Sequence, residues 1–339
     1  MEKLLSMLCS CIGIAGSETN AAQVAAKELS KYADVKIDKN SNVIAVLGNK
    51  DSNKHIMLDA HIDQIGLVVT NITEDGFLKV APCGGIDSRI MPGSTVKIHG
   101  KNDITGIVSS IPPHLSNSHN DTVQEITDLY IDTGLTYSQL KDIISVGDNI
   151  SFCSKFKKLL NNRVSCCSLD NRAGVASLIR CAQILSAEKL ECKVSILLSS
   201  QEEVNAKGAK AATYKLNPDE AIMVDVSFAS QPDVTKEKSG ALGDGPMIGI
   251  SPSLTKNISD KLISLAESFE IPYQLEVMGG TTGTNADKVS ISREGIPSGL
   301  LSIPLRYMHT PYELVELNDI ENTAKLLSLY IKNGGVFND

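Results

Sequence analysis

Residues 193–204 read KVSILLSSQEEV. Val194, Ile196 and Leu198 alternate along an extended chain, so they share one face of a strand, and the acidic pair Glu202–Glu203 follows directly. The pattern recurs upstream at 55–63, HIMLDAHID, where an apolar run of the kind buried in a sheet ends in His61 and Asp63. It recurs again at 221–225, AIMVD, and at 298–309, SGLLSIPLRYMH, which place Asp225 and His309 after apolar strands. Helical periodicity lies between these runs, at 171–186, 206–215, 257–270 and 318–333, with a further strand at 272–277. Strands that alternate with helices define an α/β fold in which a central mixed sheet is flanked by helices.

Toward the amino terminus the same alternation continues, with a helix at 18–32 and short strands at Val35–Ile37 and Val43–Leu47. Leu4, Leu5, Leu8 and Ile12 recur at helical spacing, and Glu2 beside Lys3 leaves no positive region of a signal peptide, so the start reads as an amphipathic helix. Ser17, with Asn20 three residues on, reads as the N-cap of the next helix. From about 68 to 162 the character changes: Gly and Pro punctuate short β-rich pieces, FLKVAPCGGID, STVKIHG, DITGIVSSIPP and DNISF, around a polar middle at His119–Thr122. Residues 1–67 and 163–339 are therefore expected to form one catalytic α/β domain, and 68–162 an inserted small β-barrel domain.

Composition excludes several classes. A formal net charge of -8 disfavours nucleic acid and an anionic membrane as partners, and the lack of Trp leaves little for base stacking. No apolar run approaches the roughly 20 residues of a membrane span. The eight Cys include no CxxC pair, and unpaired, apolar-flanked thiols fit a reducing compartment, hence the cytoplasm.

The chemistry-bearing residues gather at strand ends: His61 and Asp63, Asp170 in SLDNRAGV, Glu202 and Glu203, Asp225, and His309. In an open α/β sheet such positions converge on one crevice. Each alone has a plainer role: Asp170 as an N-cap, Glu202–Glu203 as a solvated loop, Asp225 as a strand terminus, His309 as a packed loop residue. Together they are harder to dismiss, because carboxylates beside buried strand ends are costly without cations. His114 and His119 read as structural or exposed, and His55 and His99 carry no role. Imidazole with carboxylate suits Zn²⁺, Co²⁺ or Mn²⁺. Three ligand carboxylates and a bridging hydroxide balance two divalent ions, provided one carboxylate bridges, and this leaves Glu202 free as a base.

HIDQIG, LDNRAGVA, QEEV, VDVSFASQPDV, TGTNAD, SREGIP and SIPLRYMHTPYE, in this order, resemble the tetrahedral aminopeptidases, dinuclear metallo-enzymes of glutamyl and deblocking types, some formerly labelled endoglucanases. The resemblance runs from residue 4 to about 333. It implies a zinc-exopeptidase-like fold, a β insertion that serves assembly, and a homo-oligomer, commonly a dodecamer. It implies His61, Asp170 and Asp225 on one metal and Asp170, Glu203 and His309 on the other, with Asp170 bridging, Glu202 as general base and Asp63 orienting His61. The substrates would be short peptides with a free N-terminus. Asn205, where the family frequently has Gly, and Asp287 bear on the specificity pocket.

Two other enzyme readings compete. A glycosidase of the endoglucanase type needs only two carboxylates and leaves His61, Asp170 and His309 unexplained. An amidohydrolase or deacylase acting on small amides would use the same ligands. A non-catalytic scaffold would be favoured by loss of a ligand or of Glu202, and none is lost.

Overall fold

The computed structural model describes residues 1–110 and 123–336, so the polar middle at His119–Thr122 and His114 lie outside the described residues. The chain opens with α1 (Glu2–Cys9), α2 (Thr19–Leu29), β1 (Asp34–Ile37), β2 (Val43–Gly48) and β3 (His55–His61). Then come β4 (Gly66–Ile72), β5 (Phe77–Cys83), β6 (Thr95–His99), β7 (Asp103–Val108), β8 (Tyr130–Asp132), α3 (Tyr137–Leu140) and β9 (Asn149–Phe152). The third stretch holds β10 (Lys157–Lys158), β11 (Arg163–Cys166), α4 (Leu169–Leu185), β12 (Lys193–Ser199), α5 (Lys207–Leu216) and β13 (Glu220–Phe228). The chain continues through β14 (Met247–Ile250), α6 (Lys256–Ser268), β15 (Gln274–Val277), α7 (Ala286–Val289), β16 (Ser298–Leu305), β17 (Glu313–Glu316) and α8 (Leu317–Lys332).

The central sheet has eight strands in the order β1-β2-β12-β3-β13-β16-β14-β15. β12, β3, β13 and β16 run parallel, whereas β2 is antiparallel to β1 and β12 and β14 is antiparallel to β16 but parallel to β15, so the sheet is mixed. Period-two alternation sorts the core onto two faces. Val194, Ile196 and Leu198 join Ile56, Leu58, Ile222 and Val224 in the larger core, beneath α1, α2, α4, α6 and α8. Leu197, Met57, Ala221 and Met223 point the other way and pack with Ala209 and Ala212 of α5 and Ala286 and Val289 of α7. Both faces are covered, which is why these strands read as continuous apolar runs. Parallel register brings Ser199 level with His61 and Asp225 level with Ser302, so the carboxyl ends of the central strands open on one edge.

β4 to β9 close into a six-stranded antiparallel barrel in the order β4-β5-β8-β7-β6-β9, which leaves no free edge. Leu67, Leu78, Val96, Ile98, Ile131 and Ile150 are buried within it. No helix of the described residues is long and apolar enough to cross a membrane.

Four sequence expectations need correction. β13 runs on to Phe228, so Asp225 lies inside a strand and not at its end. β11 belongs to a separate three-stranded sheet, β10-β11-β17, so Asp170 approaches the crevice from outside the central sheet. Ser17 is not the N-cap of α2: Glu18 occupies that position, and Ser17 Oγ accepts a hydrogen bond from Asn149 Nδ2 at 2.7 Å. β14 and β17, of four residues each, were not expected.

Candidate metal centre

His61 closes β3 at the open edge of the sheet. Its Nδ1 lies 3.2 Å from the Asp63 carbonyl oxygen, which can only accept, so that nitrogen carries a proton and Nε2 faces the crevice. Nε2 is 3.0 Å from Asp170 Oδ1 and 3.6 Å from Asp225 Oδ1. The other oxygen of Asp170, Oδ2, is 3.3 Å from His309 Nε2, which is itself 3.5 Å from Glu203 Oε2. Two groups of ligand atoms result, His61–Asp170–Asp225 and Asp170–Glu203–His309, each with its atoms within 4.8 Å of one another, and both contain Asp170.

The backbone around each group is fixed by side chains that do not line the crevice. Asn171 Oδ1 accepts the N–H of Gly174 at 2.9 Å, the bond expected of an N-cap, so capping falls to Asn171 and Asp170 is free to face the crevice. Asn171 Nδ2 also donates to the Val224 carbonyl at 2.8 Å, which fastens this junction to β13 beside Asp225. The buried carboxylate of Glu313 accepts the backbone N–H of Asp170 at 3.1 Å and that of His309 at 3.0 Å. Asp63, fully buried, accepts the N–H groups of Glu202 and Glu203 at 2.9 and 3.1 Å. Glu18 accepts the N–H of Gln201 at 3.2 Å and that of Gly16 at 2.6 Å.

The sequence reading gave Asp63 one task, and the structure shows a second. Glu313 and Asn171 stood in quoted motifs without a role, and Glu18 was missed. Each also serves a backbone group far along the chain, Asp170 for Glu313, Gln201 for Glu18 and Val224 for Asn171, which no local pattern reveals.

Glu202 lines the crevice beside His61, Asp170, Asp225 and His309, in a cavity of about 560 Å³. Among the described residues its carboxylate makes no hydrogen bond. Asn205 and Asp287 line the same cavity. Asn205 has φ 87, a left-handed conformation that Asn tolerates and Gly accepts freely. Asp287 accepts from Thr282 N, Thr282 Oγ1 and Gly283 N at 2.9, 3.0 and 2.9 Å, so its carboxylate holds the 282–284 turn. His55 and His99 lie elsewhere, bonded to Ser195 and to Asp103 and Ser151.

The electrostatics describe a site built for cations. Burial, with the charges of Asp225, Asp63 and Asp170, pushes Glu202 up to about 8. Burial and Asp170 push Glu203 up to about 10, and burial also raises Asp225. Burial opposes ionisation of Asp170 too, but contacts with His309 and His61 outweigh it and hold this carboxyl below the usual range. Burial would lower His61, yet its contacts with Asp170, Asp225 and Asp63 raise it well above the ordinary value. The crevice thus holds more carboxyl groups than can ionise together beside two imidazoles, and burial presses Glu202, Glu203 and Asp225 toward their neutral forms. The donor set of nitrogen and carboxylate oxygen, in two groups sharing one carboxylate, fits a pair of divalent ions of the zinc, cobalt or manganese kind.

The model of the family described as M42 glutamyl aminopeptidase matches residues 41–326. The lysyl aminopeptidase of Pyrococcus furiosus is 32% identical over 331 residues, covering 96% of this chain and 94% of its own. An aminopeptidase from the archaeon Desulfurococcus kamchatkensis superposes with a TM-score of 0.92 at 34% identity, covering 98% of this chain and 94% of its own. The Pyrococcus horikoshii TET1 peptidase, which can assemble into a tetrahedron or a large octahedral shell, superposes with a TM-score of 0.85 at 32% identity, covering 97% and 98%.

Proposed function

The chain belongs to the M42 glutamyl aminopeptidase family, and on that premise we propose that it removes N-terminal residues from short peptides with the help of two divalent metal ions. The observation that carries this reading is the placement of Asp170, one oxygen toward His61 and the other toward His309. His61, Asp170 and Asp225 hold one ion, and Asp170, Glu203 and His309 the other. Zn²⁺ or Co²⁺ fits this donor set best, and Mn²⁺ is a further candidate. The ions supply Lewis acidity toward the scissile carbonyl and the attacking water.

Glu202 takes the proton of the water and delivers it to the leaving amine. Burial supports that role by raising its carboxyl toward neutrality, where a group can both accept and return a proton. Asp63 keeps the His61 ring turned with Nε2 inward and fixes the turn that presents Glu202. A free α-amine is recognised in the acidic crevice, which confines cleavage to the chain end.

Residues 1–67 and 163–339 form the catalytic domain. The 68–162 insertion, with its closed barrel, drives assembly into a homo-oligomer, a dodecamer by likeness to relatives that form shells. Eight free cysteines support a cytoplasmic location.

Mass spectrometry of timed digests tests the function. A free peptide is shortened one residue at a time, whereas its N-acetylated form reacts about ten- to a hundredfold more slowly, the cost of one charge-assisted contact of ~1.5–3 kcal/mol. Internal cleavage or equal rates on the two peptides overturns the reading.

A further inference from the structure

Two ligands of the candidate centre leave one small sheet together. β11 and β17 pair antiparallel, with Cys166 opposite Glu313. Asp170 stands four residues after Cys166 and His309 four residues before Glu313, so both extend from the same end of this pair. The 306–314 loop that carries His309 is closed at its base by Arg306 and Leu314, whose N–H and carbonyl groups pair at 3.0 and 3.1 Å. Within it Tyr307 and His309 have φ 59 and 60, a left-handed conformation uncommon outside glycine, so the loop needs a hold of its own.

Glu313 supplies that hold. The residue is only 2% exposed, its Oε1 accepts the His309 N–H and its Oε2 the Asp170 N–H. Buried backbone N–H groups need partners, and a carboxylate offers one acceptor to each. Asp170 and His309 are thereby set relative to one another by a side chain that lines no part of the crevice. The other ligand group depends on it less. His61 is turned by the Asp63 carbonyl, and Asp225 Oδ1 accepts the N–H of its neighbour Val226 at 2.9 Å.

We propose that Glu313 is the positioning residue of the ion held by Asp170, Glu203 and His309, fixing two of its three protein ligands before it arrives. Of the ligands to the other ion, His61, Asp170 and Asp225, Glu313 fixes one. Glu313→Gln keeps the shape but turns one acceptor into a donor. Whichever way the amide lies, the N–H of Asp170 or of His309 then faces an NH₂ group. This assignment rests on the two-ion reading above.

The test is calorimetric zinc titration of the metal-free protein, with elemental analysis of the loaded chain. The wild type takes up two ions. Glu313→Gln keeps one and loses affinity for the other by about 10–100-fold, the usual cost of a group that supports a ligand from behind. In a His309→Ala background, Glu313→Gln weakens the remaining ion by less than about tenfold. Glu316→Gln, on the same strand but bonded to Asn318, takes up both ions as the wild type does. Hydrogen exchange on the metal-free wild type, which needs no variant to fold, finds the amides of Asp170 and His309 protected. Equal weakening of both ions, unchanged affinity for both, or unprotected amides overturns the proposal. A wild type that takes up a single ion overturns the two-ion reading itself.

Discussion

Asp63 and Glu202, far apart in sequence, are joined by a 2.9 Å hydrogen bond from the Glu202 backbone N–H to the buried Asp63 carboxylate. The same carboxylate takes the N–H of Glu203 and lies 3.5 Å from the His61 ring. Asp63 thus meets the imidazole through its carbonyl oxygen and the acid pair through its carboxylate, so the crevice behaves as a unit and not as a set of independent ligands.

Asp63→Asn keeps the shape but replaces one acceptor oxygen with a donor, which faces a backbone N–H. Metal affinity and turnover should both fall about 10–100-fold, as for other groups that support a ligand from behind. Calorimetric metal titration beside steady-state kinetics reads this. Loss of turnover with metal affinity intact would place Asp63 in the chemistry itself.

Glu202→Gln should remove roughly a hundredfold to ten-thousandfold of kcat while both metal ions stay bound, because the residue acts as base and not as ligand. Elemental analysis of the purified variant accompanies the rate. Wild-type turnover, or a missing ion, contradicts the assignment.

Chelation should lower the melting temperature as well as abolish activity. Burial and mutual repulsion already press Glu202, Glu203 and Asp225 to take up protons, a strain that bound cations relieve. At a thousandfold excess over Kd, each ion adds about 4 kcal/mol, or several degrees for a chain of this size by the usual ~2–4 °C per kcal/mol. Identical midpoints with and without chelator would speak against a filled site.

His55 should make the protein sensitive to acid. It is buried, with Nε2 2.7 Å from Ser195 Oγ. Burial first, then the Lys193 charge, lower it from 6.5 to about 4. Above pH 6.5 the ring is neutral in both folded and unfolded chains and contributes no pH dependence. As pH falls from 6.5 to about 4 only the unfolded chain accepts the proton, so stability drops, by at most about 3 kcal/mol. His55→Gln removes that component of the slope. Denaturant midpoints of the two proteins at pH 7 and pH 4.5 give the comparison, and parallel losses refute it.

Much of this was legible in the sequence because apolar runs ending in acids or histidine mark the carboxyl edge of a parallel sheet. The alternation of Val194, Ile196 and Leu198 gave the correct face. Asp225 was placed at a strand end because the hydrophobic run breaks there, yet hydrogen bonding continues to Phe228. Ser17 had the chemistry of a cap and spends its hydroxyl on Asn149 instead. Glu18 and Glu313 stayed hidden because each serves backbone groups brought near only by the folded chain, Gln201 for one and Asp170 for the other.

The order of the central strands has a consequence for how the protein comes into being. β12 and β13 flank β3, and β16 closes the far side of β13, so the edge that gathers His61, Glu203 and Asp225 is assembled from strands remote in sequence. His309 follows β16 in the chain. In chain order the group His61–Asp170–Asp225 is complete by residue 225, whereas the group Asp170–Glu203–His309 is complete only at residue 309. A chain cut before residue 309 therefore keeps one ligand group whole and leaves the other without its imidazole.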